Sequence, residues 1–82
     1  MNMRDDWNAE RMKELRKRAK LTQEEVMAAT GVHYNTIAYI EAGRRVPQAK
    51  TLQRLLQLYS QRIKYWKQLS AELGKGKEAD GY

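Results

Sequence analysis

The chain has 82 residues, which is enough for one small domain with a single hydrophobic core. Charged residues make up 32% and apolar residues 41%, proportions typical of a globular protein. The absence of cysteine excludes disulfides and thiolate metal sites. No apolar run approaches the roughly 20 residues of a membrane-spanning helix, and the first residues lack the apolar stretch of a signal peptide. We therefore expect a cytoplasmic protein without a cofactor, a metal ion or a membrane partner.

The basic residues are unevenly distributed along the chain. Lys and Arg number 16 against 10 Asp and Glu, which gives a net charge of +6. Residues 11–20 hold six cations, residues 21–43 hold none, and Arg44 and Arg45 follow directly. A basic balance indicates a polyanionic partner, which could be nucleic acid, an anionic membrane surface or an acidic protein.

Helical signals begin at Asn8, a residue type that caps helix N-termini. Trp7 and Met12 flank the first turn at the spacing of a hydrophobic staple. Apolar residues then recur at helical spacing as far as Ala19, which predicts a first helix with one buried face.

A second, short helix is predicted to start after Thr22. Thr22 and Glu25 have the spacing of a capping box, in which each residue's side chain accepts the other's backbone N–H. Val26 and Met27 are expected to face inward, and Gly31 is a candidate for the left-handed residue that ends the helix.

A third helix is predicted from Tyr34 to Ala42, with Gly43 as a second left-handed terminator. Residues 44–47 form a turn, because the residue before Pro47 disfavours helical geometry. No run of alternating apolar residues predicts a strand.

A fourth helical pattern begins near Gln48. Ser60 lies within it and either caps a fifth helix or sits inside one long helix. The polar segment 74–82 is expected to be a flexible tail. The apolar positions of the pattern are Leu52, Leu55, Leu56, Tyr59, Ile63, Trp66, Leu69 and Leu73.

The third helix has one face for a core and one face for a partner. Ile37 and Ile40 are three residues apart and define the inward face. The residues that then face away are Asn35, Ala38, Tyr39 and Ala42. An Asn amide matches the edge of adenine in the DNA major groove, so this outward face suits base contacts.

Residues 15–59 resemble the Cro and phage-repressor (XRE-type) helix-turn-helix family. The stretches that carry the resemblance are Leu15–Val26, Gly31–Ile37 and Ile40–Pro47, followed by Leu52 and Leu55. The sequence departs from the family pattern at Met27, Thr30 and His33, where alanine, an apolar residue and a serine-type cap are usual.

The resemblance implies an all-α, four- to five-helix lambda-repressor-like DNA-binding domain. It places the helix-turn-helix at about 22–42 within a domain at 8–59. The apolar pattern after this domain predicts a C-terminal helical extension at 60–73, which is expected to dimerise. The resemblance also implies a structural salt bridge between Arg16 and Glu41.

Two sets of DNA contacts are predicted from the residues and the resemblance together. The expected base contacts are Tyr34, Asn35, Thr36, Ala38 and Tyr39. The expected phosphate contacts are Gln23, His33, Arg44 and Arg45. For each of these residues the alternative is an ordinary solvated or packed side chain.

The apolar positions Ile63, Trp66 and Leu69 extend beyond what a four-helix core needs, and exposed apolar surface usually has a partner. A homodimer interface is the favoured interpretation, and an amphipathic helix on a membrane surface is the alternative.

The predicted function is sequence-specific binding of double-stranded DNA by a small transcriptional regulator, more often a repressor, acting as a homodimer on a palindromic operator. No catalytic constellation is present, so we expect no enzyme. The alternative is an antitoxin-like module that keeps this fold and binds a protein, such as a toxin or an antirepressor. The third helix has no Lys or Arg, which favours that alternative.

Overall fold

The computed structural model describes the backbone of residues 7–79 and the side chains of residues 7–73. Within this part of the chain there are four helices and no strand, so the all-α prediction is confirmed. The last helix continues through Ser60, so one long helix forms where one or two were expected. The helices are α1 (Ala9–Arg18), α2 (Gln23–Thr30), α3 (Tyr34–Glu41) and α4 (Ala49–Ala79).

The start of α1 and the start of α2 have the caps that the sequence predicted. At α1 the Asn8 side chain accepts a hydrogen bond from the Arg11 backbone N–H at 3.0 Å. At α2 the capping box is complete, since Glu25 N donates to Thr22 Oγ1 and Thr22 N donates to Glu25 Oε1. The hydrogen bond from the Thr22 backbone lowers the pKa of the Glu25 carboxyl.

Left-handed residues end the first three helices. Gly31 (φ +79°) follows α2, and Gly43 (φ +76°) follows α3, both as predicted. The corresponding residue after α1 is Lys20, whose φ of +60° is unusual for a residue with a side chain. The turns between α1, α2 and α3 are therefore short and sharply bent.

The core lies where all four helices meet. Tyr59 is fully buried there, and burial raises the pKa of its phenol. Met27, which was expected to face inward with Val26, is only half-buried and lies outside this core. The buried core residues are Met12, Ala19, Val26, Ile37, Ile40, Leu52, Leu55 and Tyr59.

The part of α4 beyond the core is partly covered by the rest of the domain. Ile63 packs against the core, and the Trp66 indole N–H donates to the Ala19 carbonyl at 2.8 Å. Both side chains are half-buried, so each contacts its own domain with part of its surface, and the homodimer interface at Ile63, Trp66 and Leu69 stays a prediction. Leu69 is half-buried, and Leu73 is 60% exposed.

Helix α4 also continues past the predicted start of the tail. It runs to Ala79 and so includes residues 74–79 of the segment 74–82, whereas residues 80–82 lie outside the described part. Gly74 and Gly76 lie within the helix, where each glycine costs only about 1 kcal/mol relative to alanine. Among the residues described, no helix has both the length and the apolar character needed to cross a membrane.

Candidate nucleic-acid interface

Helix α3 is anchored from behind and leaves its other face to solvent. Ile37 and Ile40 are each 1% exposed, and they attach the helix to the core. On the opposite face Asn35 is exposed, and Tyr34 and Tyr39 are 41% and 48% exposed. An exposed aromatic and amide surface on a rigid helix has the shape and the hydrogen-bonding groups required to contact base edges.

The remaining predicted base-contact residues lie at the sides of this face. Thr36 and Ala38 are half-buried, so the structure places them between the core side and the exposed side of α3. The centre of the exposed face is therefore formed by Asn35 and Tyr39 and not by all five predicted residues equally.

The N-terminus of α3 is capped by His33. Its Nδ1 atom accepts the backbone N–H of Asn35 at 3.1 Å, and its ring stacks on Tyr34 with the centroids 4.4 Å apart. Because Nδ1 is an acceptor, the proton of the neutral imidazole is on Nε2. His33 thus replaces the usual serine-type cap, and its Nε2–H is a donor beside the base-facing residues.

A polar network joins α1, α2 and α3 behind this surface. Arg16 and Glu41 form a two-pronged ion pair, with Nε donating to Oε2 at 2.7 Å and Nη2 donating to Oε1 at 3.0 Å. The side chains are only 12% and 5% exposed. This is the pair that the family resemblance implied, and the Glu41 hydrogen bond raises the pKa of Arg16.

The network also holds residues at the start of α2. Arg16 Nη1 donates to the Leu21 carbonyl at 2.8 Å, and Gln23 Nε2 donates to Glu41 Oε1 at 3.3 Å. Gln23 was expected to contact a phosphate, and no sequence pattern predicted its bond to a carboxylate 18 positions away. The bond uses one of the two Nε2 hydrogens, so the second remains available to an anion at the helix N-terminus.

Two exposed arginines follow α3 at a defined position. Arg44 N donates to the Tyr39 carbonyl at 2.9 Å, and Gly43 N donates to the Ile40 carbonyl at 3.1 Å. These two bonds around a left-handed glycine form a Schellman motif. Arg44 and Arg45 therefore extend from the rigid end of α3, where they supply the positive charge that α3 itself lacks.

The predicted site residues fall into three groups. Arg16, Glu41 and Gln23 are in one network, and His33 to Tyr39 form the start and outer face of α3. Arg44 and Arg45 lie at its end. The predicted dimer residues are separate from all of these, on α4. Among the side chains described, no group of three His, Asp or Glu residues is placed to hold a metal ion.

A short α2, a sharp turn at Gly31 and an α3 with one buried and one free face define a helix-turn-helix protein. A family model described as a helix-turn-helix domain matches residues 9–61, well over half of the chain. The chain belongs to this family of XRE-type helix-turn-helix domains, whose fold binds DNA. Comparisons with curated proteins and with solved structures found no match.

Proposed function

We propose that the protein is a small transcriptional regulator that binds a specific double-stranded DNA site with α3 in the major groove. The observation that carries the proposal is the outward face of α3, where Asn35, Tyr34 and Tyr39 are exposed while Ile37 and Ile40 are buried. The resemblance to phage repressors favours repression, in which the bound protein occupies an operator.

We propose base contacts for the exposed face of α3 and phosphate contacts for the residues around it. Asn35 reads an adenine edge, and Tyr34, Thr36, Ala38 and Tyr39 contact neighbouring bases and thymine methyl groups. Gln23, His33, Arg44 and Arg45 surround this face and bind phosphates, which sets the register of the protein on the duplex.

The direct test is to select bound duplexes from a pool of random DNA. The proposal requires a common sequence motif among the selected duplexes and binding that weakens steeply with salt. Recovery of unrelated sequences, with affinities equal to that of the unselected pool, would contradict sequence-specific binding.

Asn35→Ala tests base readout. The variant should lose about 1–3 kcal/mol of binding energy and should lose discrimination at one A·T pair, because one side chain contacts one base pair. Competition assays with point-substituted duplexes measure this discrimination. Gln57→Ala is the control, because it also removes a neutral amide, at an exposed position of α4 away from α3. An unchanged preference at every position in the Asn35 variant would contradict its role.

Arg44→Ala with Arg45→Ala tests phosphate binding. The double variant should bind specific and random DNA more weakly, and the slope of log affinity against log salt should fall by about 0.9 for each lost phosphate contact. Arg54→Ala with Lys64→Ala removes the same charge from exposed positions of α4 and serves as the control. If both double variants change the slope equally, only net charge matters and Arg44 and Arg45 have no specific contact.

We also propose that the protein binds as a homodimer on a near-palindromic site. One recognition helix contacts too few base pairs to select a single site among many competitors, and a two-fold axis doubles the contacts. Since Ile63 and Trp66 pack within their own domain, the proposed interface moves to the more distal part of α4, around Tyr65, Leu69 and Leu73. Tyr65 is 48% exposed and Leu73 is 60% exposed.

A second candidate is an antitoxin-like module whose main partner is a protein, such as a toxin or an antirepressor. The absence of any Lys or Arg from α3 is the observation that favours it, because base-contacting helices commonly carry arginine. Specific, salt-dependent DNA binding with the Asn35 effect would favour the regulator. High-affinity binding of a co-expressed protein without specific DNA binding would favour the module.

A further inference from the structure

The turn between α1 and α2 is held by a side chain from the far end of the chain. The Trp66 indole N–H donates to the carbonyl of Ala19, the residue that caps the C-terminus of α1, at 2.8 Å. The last carbonyls of a helix have no partner within the helix. Trp66 therefore satisfies one of these groups from a position 47 residues away, beyond the family-matched residues 9–61.

The residue next to that carbonyl has an unfavourable backbone conformation. Lys20 has φ +60°, and the bonds Lys20 N to Lys17 O and Leu21 N to Arg16 O form a Schellman motif around it. Glycine is the usual residue at this position because it has no Cβ penalty, whereas a residue with a side chain is strained.

Trp66 also contacts the side chain of this residue. The Lys20 ammonium lies 4.9 Å from the centre of the indole ring, within the range of a cation–π interaction. The Arg62 guanidinium lies 5.5 Å from the same ring and helps to position it. One indole therefore binds both the carbonyl before the left-handed residue and the cation of that residue.

The start of α2, which carries the proposed phosphate contact Gln23, directly follows this turn. Leu21 follows Lys20, and its carbonyl accepts a hydrogen bond from Arg16 Nη1. Thr22 comes next and caps α2, which begins at Gln23. We expect a turn that loses its left-handed geometry to displace the N-terminus of α2 relative to α3 while both helices remain folded.

We propose that Trp66 is a positioning residue for the DNA-binding surface, holding the α1–α2 turn so that the α2 N-terminus and α3 contact one duplex together. This inference rests on the proposed DNA-binding function. It predicts that DNA affinity depends on a residue of α4 that lies outside the helix-turn-helix.

The test uses Trp66→Phe, which keeps an aromatic ring but removes the indole N–H. Lys20→Gly is introduced alone and together with Trp66→Phe, because glycine adopts the left-handed conformation without support. Trp7→Phe is the matched control, since it makes the same substitution at an indole whose N–H has no hydrogen-bond partner among the described residues. Thermal unfolding by circular dichroism confirms that each variant is folded.

Two measurements are made on each variant. In free protein, amide hydrogen exchange is measured at Lys20 and Leu21, whose N–H groups form the turn, and at Ile37 and Ile40 in α3. The affinity for the selected duplex is then measured. In Trp66→Phe, the increase in the exchange rate at the turn should be about fivefold larger than the increase in α3. The DNA affinity should fall about fivefold. Both changes are those expected for the loss of one hydrogen bond.

The double variant with Lys20→Gly distinguishes a positioning role of Trp66 from a role in the overall stability of the domain. In the Lys20→Gly background, Trp66→Phe should change DNA affinity by less than about twofold, because the turn no longer needs the indole. Three results would each overturn the proposal. The first is an equal increase in exchange at the turn and in α3, and the second is an affinity loss that Lys20→Gly does not reduce. The third is faster exchange at the turn with unchanged DNA affinity. A wild-type protein that binds no specific duplex contradicts the proposed function instead, and the exchange ratio still decides whether Trp66 holds the turn.

Discussion

Glu41→Gln should destabilise the domain by about 3 kcal/mol, the lower end of the range for breaking a buried ion pair by removing one partner. The Glu41 side chain is 5% exposed and accepts hydrogen bonds from Arg16 Nε, Arg16 Nη2 and Gln23 Nε2. Glutamine has nearly the same shape but leaves the Arg16 guanidinium without a countercharge, and its NH₂ group faces other donors. For a small domain this is a large part of the total stability.

Urea unfolding of the wild type, Glu41→Gln, Arg16→Met and the double variant measures the effect and its origin. The double variant removes both charges together, so its loss should be clearly smaller than the sum of the two single losses. If the losses of unfolding free energy are purely additive, Arg16 and Glu41 have no coupling energy and contribute to stability only through packing.

The local features of the fold could be predicted because their causes are local in sequence. Thr22 and Glu25 are three residues apart, which is the spacing of the capping box that forms. Gly31 and Gly43 are at the two positions that need positive φ. The buried pair Ile37 and Ile40 follows from helical periodicity alone.

The long-range contacts of α4 could not be predicted in this way. A serine such as Ser60 is compatible with a cap or with a helix interior, so sequence alone left two interpretations. The apolar pattern showed that Trp66 lies on one face of α4, but not that the indole N–H reaches the Ala19 carbonyl. Residues 47 positions apart come together only through tertiary packing, so the sequence alone could not show that the domain covers part of Ile63 and Trp66.

The candidate site was predicted partly from chemistry and partly from the resemblance. The outward position of Asn35 and Tyr39 follows from the period of α3, whereas the Arg16–Glu41 pair came from the family pattern. The bond from Gln23 to Glu41 had no signal in either. It connects a proposed phosphate contact to the salt bridge, so the variant Glu41→Gln should also loosen the start of α2.

The second large effect concerns assembly on DNA. Leu69→Gln with Leu73→Gln should convert a dimer into a folded monomer and should lower the affinity for a palindromic duplex by at least about 100-fold. Linking two binding modules raises overall affinity by roughly 10²–10⁴ through effective concentration, and the monomer loses this gain. Glutamine is a good helix former, so α4 itself should persist. Ile63 and Trp66 stay unchanged, because they pack within the domain.

Sedimentation equilibrium determines the mass of each protein, and circular dichroism checks that each is folded. The control is Ser70→Gln with Ala71→Gln, which places the same side chains at exposed positions of the same segment of α4. The wild type and the control should be dimers that require two half-sites separated by about one helical turn, on the order of 10 bp from centre to centre. The leucine variant should bind a single half-site as well as the wild-type monomer does, because α3 and its exposed face are unchanged. A wild-type protein that remains monomeric at high micromolar concentration and on the selected duplex would contradict the dimer, and Leu69 and Leu73 would then need a different partner.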